Sequence, residues 1–168
     1  KGANKWIGVA PFAKYRGKTY GIDEMEIVVD RLSQLPHTKV FLFGGRGYEQ
    51  AMLDEWDFRY DNVHSVVGEF ELDKELMLIS QLNLLVSMDS ANMHLASLVK
   101  TPVVSLWGAT HPYAGFYGYK QDPNNIIQAP MLCRPCSILG QKPCYKGGWA
   151  CLKWITPDMV VEKVKELL

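Results

Sequence analysis

The stretch Asp89-Ser90-Ala91-Asn92-Met93-His94 has the residue types and spacing to hold an anion. It follows the apolar run Leu84-Leu85-Val86-Ser87, so a strand delivers Asp89 to the first turn of a helix. The free backbone N–H groups of that turn, with the helix dipole, make a ready site for a phosphate. Ser90 and His94 stand four residues apart on one helix face and can approach the same ligand. A plainer reading of the isolated pattern has Asp89 or Ser90 as a helix cap and His94 as a satisfied, partly buried histidine.

A second group is the cysteines. All four, Cys133, Cys136, Cys144 and Cys151, fall in one local stretch, spaced Cys-x2-Cys-x7-Cys-x6-Cys. Four thiolates in one loop would suit a tetrahedral zinc, and the first pair has the tight gap of a zinc knuckle. The second pair is loosely spaced, so reduced structural thiols or redox-sensitive disulfides pinning a long loop stand as alternatives. No adjacent histidine would activate any of these thiols as a nucleophile.

Two other chemistries are excluded by pattern. No G-x-G-x-x-G follows the first strand, where Gly8 is isolated, which disfavours a nicotinamide-dependent dehydrogenase. Gly17-Lys18-Thr19 matches only the tail of a P-loop, and Phe12 occupies the position of its first glycine.

Short apolar runs alternate with amphipathic segments and would position these groups. Strands are predicted at Trp6–Ala10, Lys39–Phe43, His64–Val67, Leu84–Ser87 and Val103–Leu106, with a further short one at Asn125–Gln128. Between them lie helical stripes of Met25, Val29, Leu32 and Leu35, of Tyr48, Met52 and Trp56, and of Leu72, Leu76 and Ile79, then a helix from Ser90 to Val99. Such alternation calls for a doubly wound, Rossmann-like parallel sheet with helices on both faces. Ligands of such sheets sit at the C-terminal strand ends, here Pro11 to Lys18, Gly44 to Glu49, Gly68-Glu69, Met88 to His94 and Trp107 to Pro112. Residues 108–156 read as an irregular, Cys-containing region. Thr156-Pro157 then opens a last helix whose buried face is Val160, Val164 and Leu167.

At 168 residues the chain reads as one domain, and its 48% hydrophobic content can fill a core. Eighteen basic residues balance eighteen acidic ones, which gives no electrostatic case for nucleic acid. The opening Lys1-Gly2-Ala3-Asn4 lacks a signal-peptide pattern and reads as the middle of a longer protein. No apolar run is long enough to span a bilayer, and the clustered cysteines suit a cytosolic protein with one specialised loop.

Asp89-Ser90-Ala91-x-x-His94-Leu95-Ala96, followed by Lys100-Thr101-Pro102-Val103-Val104-Ser105-Leu106-Trp107-Gly108-Ala109-Thr110-His111-Pro112, resembles the signature of glycosyltransferase family 9, the ADP-heptose:lipopolysaccharide heptosyltransferases. The resemblance extends over nearly all of the chain, including Lys18-Thr19-Tyr20, Gly44-Gly45 and the loop Cys133-Arg134-Pro135-Cys136. It implies the C-terminal, nucleotide-sugar-binding half of a two-domain GT-B enzyme, with the N-terminal acceptor domain absent. Lys18 would meet the diphosphate, as a mobile ammonium that neutralises its charge. Glu49 would accept ribose hydroxyl protons. Asp89 would contact the sugar or diphosphate region, and Ser90, Ala91 and His94 would line the phosphate pocket. The family often has glycine where this chain has Ala91, and Asn92-Met93 departs from its commoner residues.

What the resemblance implies for function is an inverting transfer without a metal cofactor, a zinc at the cysteines being structural if present. The donor would be ADP-heptose and the acceptor a lipopolysaccharide core bound by the missing domain. No catalytic residue is expected in this half, the base belonging to the other domain, so the chain alone should bind donor without turning it over. The expected location is cytoplasmic, at the inner face of the inner membrane and only peripherally in contact with it. A standalone nucleotide-binding or interaction module, or half of a GT-B nucleotide-sugar epimerase, are the competing readings.

Overall fold

The computed structural model describes residues 4–168, so the first three residues of the opening segment lie outside it. The strands are β1 (Lys5–Ala10), β2 (Thr38–Leu42), β3 (Val63–Ser65), β4 (Leu84–Met88), β5 (Val103–Trp107) and β6 (Ile126–Gln128). They form one six-stranded sheet in the order β3-β2-β1-β4-β5-β6, every adjacent pair parallel. The helices are α1 (Ile22–Ser33), α2 (Tyr48–Arg59), α3 (Leu72–Gln81), α4 (Ala91–Leu98), the short α5 (Ala150–Lys153) and α6 (Pro157–Leu167).

β4 and β5 are buried along their whole length, as parallel strands covered on both faces must be. Alternate residues serve different cores. Leu84, Val86 and Met88 point into the larger one with α1, Leu53 and Trp56 of α2, and α6. Leu85 joins Ile79 of α3 and Met93 and Ala96 of α4 on the other face. Gly8 belongs to this packing rather than to a ligand loop. A Cβ there would come within 2.5 Å of Leu85 Cδ1 and 2.6 Å of Leu82 Cδ1.

Several expectations need correction. β3 ends at Ser65, because the chain turns at Gly68, whose φ is +76°, and Glu69 N–H closes onto the Val66 carbonyl. The buried face of α2 is Leu53 and Trp56, with Tyr48 73% exposed. On α3 Leu72 is exposed and Ile79 is the buried residue. On α6 Val161 is buried beside Val160 and Val164, while Leu167 stays partly exposed. Thr156 caps α6 through its hydroxyl, accepting from Met159 N–H, with Pro157 opening the helix as expected.

The sheet order reverses between β1 and β4: β1 leads outward to β2 and β3, and β4 leads the other way to β5 and β6. A crevice at the C-terminal ends of those two strands is where doubly wound sheets hold their ligands.

Candidate functional site

That crevice is present as a cleft of about 520 Å³. Lys18, Glu49, Asp89, Ser90, Ala91 and His94 all line it, so the side chains named from the sequence are brought to one place. Lys18 ends a single 3-10 turn (Arg16–Lys18) in the loop after β1. Asp89 and Ser90 join β4 to α4, and Glu49 lies in the first turn of α2, across the cleft.

The centre of the cleft floor is an ion pair. Lys18 Nζ lies 3.0 Å from Asp89 Oδ2, with the two side chains only 12% and 4% exposed. Thr110 Oγ1 donates to the same oxygen at 2.9 Å. Asp89 is therefore a buried acceptor that places an ammonium, and it does not cap α4. The cap position belongs to Ser90, whose side chain makes no capping bond; its hydroxyl lies 3.2 Å from that of Ser87. The α4 N-terminus is thus left without a side-chain cap, facing the cleft beside a lysine.

Opposite, Glu49 Oε2 accepts from Gly45 N–H at 2.6 Å, which fixes the carboxylate at the cleft wall. Gly44 and Gly45 leave room for it, since a Cβ on Gly45 would stand 3.2 Å from Glu49 Oε2. His94 is exposed on α4 at the same cleft. The apolar lining carried no sequence signal: Phe12 and Tyr15 lie in the strand end Pro11 to Lys18 without an assigned role, and Phe116 and Leu139, from the irregular region, were missed. Lys18 Nζ sits 5.9 Å from the Phe116 ring centroid. Thr110 lay inside the Asp89–Pro112 motif without a role.

The cysteines do not all lie in one irregular loop, because Cys151 is part of α5, which forms over the Trp149 turn. All four still line one cavity of about 10 Å³, near the lower limit for a single water. Among the described residues no three Cys, His, Asp or Glu side chains gather as a metal-binding set. Burial, then the neighbouring Cys133, pushes the Cys136 thiol up. Burial pushes Cys151 up as well, against the opposing pull of Arg134. With the thiolate as the reactive form, Cys136 and Cys151 are expected to react with a thiol reagent at neutral pH several-fold more slowly than an unhindered peptide cysteine. Reaction of all four at the free rate would contradict this. Elemental analysis of the same sample, with less than a tenth of an equivalent of zinc, would remove that metal from the loop.

The family model described as glycosyltransferase family 9 (heptosyltransferase) matches residues 1–141. The chain belongs to glycosyltransferase family 9. Among known relatives it is similar to lipopolysaccharide heptosyltransferase 3 of Escherichia coli K12, 30% identical over 107 residues, covering 62% of this chain and 31% of that protein. It is also similar to lipooligosaccharide heptosyltransferase 2 of Campylobacter jejuni serotype O:6, 22% identical over 99% of this chain and 52% of that one. In fold it resembles E. coli ADP-heptose LPS heptosyltransferase II, with a TM-score of 0.73 and 21% identity over 99% of this chain and 47% of the other. Against E. coli heptosyltransferase WaaC with ADP the TM-score is 0.71, at 16% identity, over 99% and 45% of the two chains. This family 9 chain spans half or less of most of these relatives' length. Among its described residues no helix is long and apolar enough to cross a membrane.

Proposed function

We propose that this chain is the donor-binding half of a heptosyltransferase. The cleft takes a nucleoside-diphosphate sugar, ADP-heptose, with the diphosphate between Lys18 and the N-terminus of α4 and the ribose toward Glu49. The observation that carries this is the meeting, at the sheet's switch point, of a positioned ammonium and an uncapped helix N-terminus. In the transfer the acceptor oxygen attacks the anomeric carbon and the bond to the diphosphate breaks. Lys18 and the helix dipole then meet charge that grows as the nucleoside diphosphate departs. A lipopolysaccharide core acceptor, and the base that takes its hydroxyl proton, come from a second domain across the cleft. The assembled enzyme works in the cytoplasm against the inner face of the inner membrane. Membership of a heptosyltransferase family and relatives of about twice the length support this reading.

Calorimetry of the chain against ADP, UDP, GDP and CDP tests it. ADP is expected to bind most tightly, between micromolar and millimolar, since half a cleft supplies only ~4–8 kcal/mol. Binding of none of the four, or equal binding of all, would overturn the donor assignment.

A further inference from the structure

The irregular region after β5 reaches the cleft floor through one buried side chain. Arg134, between Cys133 and Cys136, is 9% exposed. Its guanidinium donates to the carbonyls of Gly108, Ala129 and Thr110 and to Gln128 Oε1, the last three at 2.7, 2.9 and 3.0 Å. No carboxylate pairs with it among the described residues. The fork is rigid and planar, so it locks the segments leaving β5 and β6 into one relative position.

From there the path to Lys18 is short and has no slack. The Thr110 residue whose carbonyl Arg134 holds also donates its hydroxyl to Asp89 Oδ2, which holds Lys18. In parallel, Cys136 N–H donates to the Ala109 carbonyl at 2.9 Å, and Ala109 N–H to the Gly17 carbonyl at 2.7 Å, one residue before Lys18. Glycines let Gly108 and Gly17 approach a neighbouring backbone and Gly140 the Lys18 side chain. A Cβ on Gly108 would lie 2.5 Å from Gly17 O, one on Gly17 2.7 Å from Gly140 O, and one on Gly140 2.8 Å from Lys18 Cγ.

We propose that Arg134 is a positioning residue of the donor site, acting through Thr110 and Asp89 to set where the Lys18 ammonium stands. The inference rests on the reading of Lys18 as the diphosphate contact. An arginine that merely stabilised the fold would, when changed, affect every ligand of the cleft alike. An arginine that aims one ammonium changes the diphosphate alone.

The test compares ADP with adenosine in Arg134→Lys and Thr110→Val, alone and combined with Lys18→Ala. Each single change is expected to weaken ADP about five- to tenfold and to leave adenosine within about twofold, roughly 1–1.4 kcal/mol on the phosphate portion. In the Lys18→Ala background neither should weaken ADP further, because the group they position is gone. Equal losses for ADP and adenosine, or a full further loss without Lys18, would overturn the proposal. If Lys18→Ala itself leaves ADP binding unchanged, the diphosphate reading fails instead. Should Arg134→Lys not fold, Gln128→Leu, which frees the fork on one side only, carries the same comparison and the same outcomes.

Discussion

Lys18→Ala is expected to weaken ADP binding by ten- to a hundredfold while leaving adenosine within about twofold. The ammonium has three N–H donors, and Asp89 Oδ2 takes one of them at 3.0 Å, which leaves two for a phosphate. A charge-assisted hydrogen bond is worth ~1.5–3 kcal/mol, and ~1.4 kcal/mol is tenfold. The loss falls toward the upper end because the substitution acts twice. It removes the cation, and it leaves the Asp89 carboxylate uncompensated beside an anionic ligand. His94→Ala, on the exposed face of α4, is expected to cost less, about three- to tenfold on ADP, since a solvated group gains less from a phosphate than a partly buried one. Calorimetry of both variants, with folding checked by circular dichroism, decides the matter. ADP affinity unchanged in both would remove this site assignment, whatever the family membership.

Much of this architecture was legible in the residue order, for a physical reason. Strands buried on both faces are near-continuous apolar runs, so Leu84 to Val86 and Val103 to Leu106, broken only by the buried Ser105, announce themselves and the boundaries move by only a residue or so. Helices that cover the sheet by a narrow strip are harder. On α2 the periodic aromatic at Tyr48 points to solvent, while Leu53 carries the contact, because this helix packs chiefly at the β3 edge. Strand ends in such sheets converge on one crevice, which brought the segments holding Lys18, Glu49, Asp89 and His94 together, and the resemblance to family 9 singled out those residues within them. Thr110 and Arg134 carry no such signal. Their importance comes from backbone approach at Gly17, Gly108 and Gly140, three glycines distant in sequence, and no periodicity marks a contact of that kind.

The helix cap shows the same limit. Asp or Ser ahead of a helix reads as a cap on residue type alone, and here neither caps α4. Asp89 is drawn away to Lys18 and Thr110, and Ser90 to Ser87. A local preference has lost to a tertiary ion pair. The consequence is an open helix N-terminus in a protein whose proposed ligand is a diphosphate.

That ion pair supplies the second large effect, on stability. Lys18→Ala strands a carboxylate that is 4% exposed, with the Thr110 hydroxyl as its remaining side-chain partner. Breaking a buried pair from one side costs ~3 kcal/mol at the low end, or roughly 6–12 °C of Tm in a domain of this size. Asp89→Asn is expected to cost less. Its amide oxygen still accepts from Thr110, and the lysine, 12% exposed, can swing its ammonium toward the open cleft. The double variant Lys18→Ala/Asp89→Asn should then be more stable than Lys18→Ala alone, because the uncompensated charge is gone. Thermal unfolding of the four proteins measures this as a coupling of about 1–2 kcal/mol between the two sites, within the range for residues in contact. A double variant whose loss equals the sum of the singles would mean that Lys18 and Asp89 do not depend on each other. The ammonium would then be held by the loop after β1, with its packed Gly17 and Gly140, and Asp89 would have no part in aiming it.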